Sequence, residues 1–204
     1  MDQETFTSAS GMWALVWSPA SLSRNTRTTL YLHGAGGFGR GMAGLFEYPD
    51  LPSLLRDGME LDCRVVIPSC HVGDEWQPTM LSDFLTELES TYDKPSGGYD
   101  LVGYSRGGRG VYQFAAFEPA RVRTLAAISA RDMPELAHEL RGFPVFIIHG
   151  DKDQRTPVER IRSMYDALRA EGCNCKLEIV DGDHFIIAKV LQDGSIFEWQ
   201  TNAI

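Results

Sequence analysis

Seven short runs rich in β-branched and aromatic residues punctuate this chain, at residues 12–18, 28–34, 64–68, 99–105, 124–129, 145–150 and 176–180. Several, such as "TTLYLHG" and "VFIIHG", are almost continuously apolar, as strands covered on both faces must be. Between them lie stretches with helical spacing. Residues 78–92 open on Pro78 and repeat Met80, Leu81, Phe84, Leu85 and Leu88; residues 108–119 stop at Pro119; residues 157–172 run from Pro157 to Gly172. The segment 38–60, interrupted by Pro49 and Pro52, has no regular pattern. Apolar strands alternating with helices predict an α/β fold, a mainly parallel twisted sheet with helices on both faces. No repeat or linker divides the chain, and 204 residues suit one sizeable core, so a single domain over 1–204 is expected.

Charge narrows the partners. A formal net charge of -9 offers no basic field for phosphates, which argues against nucleic acid and anionic membrane surfaces. The start, "MDQETFTSAS", lacks the basic and apolar segments of a signal peptide, and no run of about 18 apolar residues occurs, so a cytoplasmic protein is expected. Cys63, Cys70, Cys173 and Cys175 have neither zinc-ligand nor Cys-x-x-Cys spacing and read as reduced thiols.

The stretch "LVGYSRGGRG" places Ser105 between the end of an apolar strand and the start of a helical pattern, with Gly103 two residues before it and Gly107 two after. A serine on such a corner is exposed at the strand end beside the N–H groups of a helix N-terminus, which receive developing negative charge. Glycines on either side let neighbouring backbone approach. This is the Gly-x-Ser-x-Gly nucleophile elbow.

A serine hydroxyl needs a neutral imidazole to take its proton, and that imidazole needs a carboxylate to hold its tautomer. Both follow in order. "FIIHGDKDQRTP" carries Asp151 and Asp153 in the loop after one strand, and "VDGDHF" carries His184 after another. Serine, acid and histidine thus each fall just beyond the C-terminal end of a predicted parallel strand, where open α/β sheets place their sites. The glycine-rich loop in "YLHGAGGFG" ends an earlier strand, and one of its amides, with the N–H of Arg106, would hold an oxyanion. That loop has neither the Lys-Ser/Thr of a P-loop nor an in-frame Gly-x-Gly-x-x-Gly, which argues against a nucleotide.

Together, "HGAGG", "GYSRGG", "HGDKDQRTP" and "GDHF" resemble the α/β-hydrolase superfamily, and within it the small lidless branch of phospholipase/carboxylesterase, acyl-protein thioesterase and dienelactone hydrolase type. The pattern spans residues 30 to about 190. The resemblance implies Ser105 as nucleophile, His184 as general base and acid, and Asp153 as the orienting acid, with Asp151 the alternative. It implies backbone oxyanion donors at Arg106 and Ala35, Gly34 or Gly36 replacing Ala35 in other registers of the loop. Dienelactone hydrolases proper carry cysteine at the elbow, so Ser105 argues against that chemistry. The short segment between Ser129 and Val145 leaves no room for a substantial cap, which implies an open, shallow site.

The expected function is therefore a serine hydrolase acting on small carboxylic esters or thioesters through an acyl-enzyme, without cofactor or metal. The alternative is a non-catalytic binding module of the same fold. Trp76 and Arg131, both near predicted strand ends, are candidate substrate-binding residues. Arg106 and Arg131 facing the cleft together would favour an anionic substrate. His71 is a candidate for the edge of the site. His33 is expected to hold its loop through backbone hydrogen bonds, and His138 and His149 to be structural.

Overall fold

All seven predicted runs form strands, and an eighth precedes them. The computed structural model describes residues 1–23, 26–70 and 75–203. The strands are β1 (Asp2–Thr7), β2 (Trp13–Ser18), β3 (Thr28–Leu32), β4 (Arg64–Pro68), β5 (Tyr99–Tyr104), β6 (Val122–Ile128), β7 (Pro144–Gly150) and β8 (Asn174–Val180). They make one eight-stranded sheet in the order β1-β2-β4-β3-β5-β6-β7-β8. Pairing is parallel from β4 through β8, while β2 runs antiparallel to β4 and β1 antiparallel to β2. The sequence reading did not assign β1. Its residues, DQETFT, are mostly exposed on the sheet edge, so no buried face imposes a pattern on them.

The apolar runs are buried along their whole length in β3, β5 and β7. Alternate residues go to opposite faces. Leu30, Leu32, Leu101, Val145 and Ile147 join one core, with the buried sides of α3 (Pro78–Thr91), α4 (Arg106–Phe117) and α5 (Val158–Ala170). Tyr31, Val102, Phe146 and Ile148 join the other, against α2 (Leu51–Arg56), α6 (Ile187–Gln192) and α7 (Ser195–Asn202). The irregular segment resolves into α1 (Gly41–Leu45) and α2, the latter opened by the Asp50 side chain and Pro52. Helices α6 and α7 are each at most eight residues long, too short for a periodic signal to stand out in sequence. Between β6 and β7 the chain forms one short 3-10 turn, Pro134–Leu136, and no cap.

One buried charge ties the far end of β5 to its neighbours. Asp100 is fully buried and accepts hydrogen bonds from Arg27 at 3.0 Å, from Arg123 Nε and Nη2 at 2.8 Å each, and from Thr124 at 2.6 Å. Removing one partner of such a cluster strands the others. Asp100→Ala is expected to cost about 3–5 kcal/mol in urea unfolding. A loss below about 1 kcal/mol would show that the arginines find water instead.

Candidate active site

Because β3, β5, β7 and β8 are parallel, their C-terminal ends share one sheet edge, and the loops that follow them meet there. Ser105 makes the corner between β5 and α4 with φ 54° and ψ -112°, a conformation costing about 1–3 kcal/mol in a non-glycine residue. Its N–H donates to Ile128 O at 2.9 Å, anchoring the corner to β6. The two flanking glycines are sterically required. A Cβ on Gly107 would lie 1.7 Å from Leu32 O, and one on Gly103 would lie 2.2 Å from Gly107 O.

Ser105 Oγ lies 2.9 Å from His184 Nε2, and His184 Nδ1 lies 2.7 Å from Asp153 Oδ2. With the proton on Nδ1, the imidazole donates to the carboxylate and accepts from the serine hydroxyl. Asp153 is held in turn by the N–H groups of Arg155 (2.8 Å) and Thr156 (3.0 Å), both donating to Oδ1. Burial pushes its carboxyl up, but these amides and His184 outweigh it and hold the pKa below the usual carboxylate range. His149 is fully buried behind it, its Nε2 donating to Thr156 O at 2.8 Å and lying 3.4 Å from Asp153 Oδ2. Burial lowers the His149 pKa, so this second imidazole is neutral and adds no positive charge. Asp151 plays a different part: it is exposed and accepts the Gly182 N–H at 3.0 Å, joining the two loops. Tyr104 OH donates to His184 O at 3.2 Å, and the two rings pack at 5.6 Å.

A cavity of about 220 Å³ opens on Ser105 and His184, lined also by Gly34–Gly37, Leu45, Tyr48, Asp50 and Ile187. This is below the roughly 300–1,000 Å³ of pockets for drug-sized ligands. Ala35 thus faces the same cavity as the serine, and Arg106, directly after Ser105, is the first residue of α4. Arg155 stacks on Phe185 at 4.9 Å at the cavity's margin. His33 donates from Nδ1 to Gly34 O at 2.9 Å and supports the glycine-rich loop.

Two sequence-based candidates lie elsewhere. Trp76 is 1% exposed, does not line the cavity, and donates from Nε1 to His33 O at 3.1 Å while packing on His33 and Phe38. It props the loop from behind, because its indole is large enough to fill the core there. Arg131 lines a separate shallow depression with Arg109, Asp132 and Arg160. Arg106 and Arg131 line no cavity in common, so the condition for favouring an anionic substrate is not met; the Arg106 guanidinium sits 5.9 Å from the Phe38 ring centre. His71 lies outside the described residues. His138 is exposed beside Glu171 at 3.0 Å. The four cysteines are buried and form no disulfide. Asp50, Tyr48, Arg155 and Phe185, all on the cavity wall, were not singled out from sequence; Arg155 and Phe185 each sit within two residues of a motif position.

Burial makes one stability effect testable. Desolvation lowers the His33 pKa to about 4, so the folded state binds fewer protons than the unfolded chain below pH 6.5. Stability from this group is complete above that pH and falls by about 3 kcal/mol as the pH drops to about 4. Asp50, raised to about 6, shifts stability in the opposite sense over the same range. The difference between proteins is therefore the readout. His33→Gln should lose about 3 kcal/mol less than the wild type between pH 6.5 and 4 in urea titrations; parallel losses would contradict it.

No family model and no curated protein matches this sequence. Solved structures do match. The chain superposes on a thermostable esterase with a TM-score of 0.77 at 16% identity, covering 98% of this chain and 62% of that one, so it spans less than two thirds of that protein's length. An α/β-hydrolase enzyme from the metagenome of lagoon sediments at Mar Chica, Morocco, gives 0.68 at 15% identity over 98% and 99% of the two chains. A thioesterase domain from the curacin biosynthetic pathway gives 0.62 at 12% identity over 97% and 99%. The chain has the α/β-hydrolase fold.

Proposed function

We propose that this protein is a serine hydrolase that cleaves small carboxylic esters or thioesters. The observation that carries the reading is the imidazole of His184, within hydrogen-bonding distance of Ser105 Oγ on one side and Asp153 Oδ2 on the other. In this reading His184 Nε2 takes the serine proton as Oγ bonds to the substrate carbonyl carbon. The carbonyl π electrons move to oxygen, and the amides of Arg106 and Ala35 receive the oxyanion. Collapse expels the alcohol or thiol, which takes the proton from Nε2, and leaves an acyl group on Ser105. Water then repeats the cycle: its proton goes to His184, its oxygen to the acyl carbon, and Ser105 leaves reprotonated as the acid is released. Asp153 stays ionised throughout and holds the tautomer.

Support comes from the strained corner that presents Ser105, the cavity opening on it, and the esterase and thioesterase among the structures of this fold. The small cavity favours small substrates. A panel of esters and acyl thioesters of graded chain length tests this. Acetyl and butyryl compounds are expected to reach kcat/KM of about 10⁴ M⁻¹s⁻¹, with palmitoyl compounds at least tenfold poorer. No turnover of any member above the buffer rate would overturn the proposal.

A further inference from the structure

The cavity beside Ser105 is walled largely by apolar groups and the glycine-rich loop, yet it contains a carboxylate for which ester hydrolysis has no use. Asp50 is 7% exposed. Its Oδ1 accepts the Leu51 N–H at 2.7 Å and the hydroxyl of the buried Tyr31. Its Oδ2 takes no hydrogen bond and no ion pair among the described residues, which leaves that oxygen's accepting capacity unused in a residue that lines the cavity. Capping α2 explains Oδ1 alone, and a solvent-exposed Asp or Ser would cap as well without the cost of burial.

We propose that Asp50 is a specificity-determining residue of this cavity, selecting small esters or thioesters whose enclosed part carries a hydrogen-bond donor, a hydroxyl or a protonated amine. The inference rests on the hydrolase reading above. A donor on the substrate completes the carboxylate's hydrogen bonding, whereas a methyl group leaves a buried acceptor unmet. An ammonium adds charge attraction, so it should rank above a hydroxyl. Burial holds the Asp50 carboxyl up at about 6, the Tyr31 hydroxyl and Leu51 amide pulling it partly back. The other ionisable groups around it are Tyr31 on β3, Tyr104 at the end of β5, and His33, Tyr48, Arg155 and His184 on the cavity wall.

The test compares isosteric pairs by kcat/KM: 2-(dimethylamino)ethyl acetate against 3-methylbutyl acetate, 2-hydroxyethyl acetate against propyl acetate, and methyl 3-hydroxybutyrate against methyl 3-methylbutyrate. The donor-bearing member should be preferred about tenfold or more in the alcohol or the acyl series. The preference should grow as pH rises through about 6 and the carboxyl ionises. Any pH dependence of the shared chemical step cancels in the ratio, because both members of a pair pass through it. Asp50→Asn should bring the ratio close to one and abolish its pH dependence. Tyr31→Phe, which removes a hydrogen bond that stabilises the carboxylate, should move the midpoint to higher pH. Ratios near one for every pair in the wild type overturn the inference even if Asp50→Asn fails to fold. So does a preference that Asp50→Asn leaves unchanged. If no ester is cleaved and Ser105 takes no fluorophosphonate, the hydrolase reading falls and this inference falls with it; turnover of all pairs without discrimination removes this inference alone.

Discussion

Ser105→Ala is expected to lower kcat on the best ester by about a millionfold, leaving a residual acceleration of about 10³–10⁴ over water. On the proposed mechanism the loss is large because Ser105 Oγ is the atom that bonds to substrate, and without it no acyl-enzyme forms. The residual rate is what the proposed oxyanion amides and binding would still supply, since the substitution leaves them in place. Folding should survive. Alanine is smaller than serine, and the corner's positive φ is held by the Ser105 N–H to Ile128 O bond and by the glycines at 103 and 107. Initial-rate kinetics with an unchanged thermal midpoint check this. A loss of less than about tenfold would mean that the hydrolysis happens elsewhere.

The second large effect is at Asp153. Asp153→Asn keeps the shape of the side chain, and the amide oxygen still accepts from the Arg155 and Thr156 N–H groups. The amide nitrogen then faces His184 Nδ1, where the carboxylate oxygen stood at 2.7 Å. Two donors cannot meet, so the imidazole carries its proton on Nε2 instead, pointing at Ser105 and unable to accept its hydrogen. A loss of about 10⁴ in kcat with little change in KM is expected, as for an orienting acid converted to its amide. Asp151→Asn, altering the exposed carboxylate that joins the loops through Gly182, should cost no more than about tenfold. A reversal of these two effects would move the orienting role to Asp151.

Much of this arrangement was legible in the sequence because strands buried on both faces leave long apolar runs, and the loops that follow them carry the polar motifs. Ser105, Asp153 and His184 could be placed on one edge from the parallel order of β5, β7 and β8 alone. What could not be read is where side chains turn once a strand has ended. Trp76 follows β4 in a loop but folds inward beneath His33, and Arg131 follows β6 but points to a different depression. Local spacing says nothing of either direction. Asp50 was hidden for another reason: its segment is built of helices five and six residues long, whose burial is set by contacts with Tyr31 and the rest of the second core rather than by their own periodicity. The polar edge strand β1 left no pattern because almost nothing on it is buried.

The central claim is that Ser105 is a nucleophile activated by His184. Treating the native protein with a fluorophosphonate and locating the adduct by peptide mass spectrometry tests it most directly. The account predicts stoichiometric phosphonylation of Ser105, slowed by several orders of magnitude in His184→Ala and absent from Ser105→Ala. An unmodified Ser105 in the folded protein, or an adduct formed equally fast without the histidine, would contradict it.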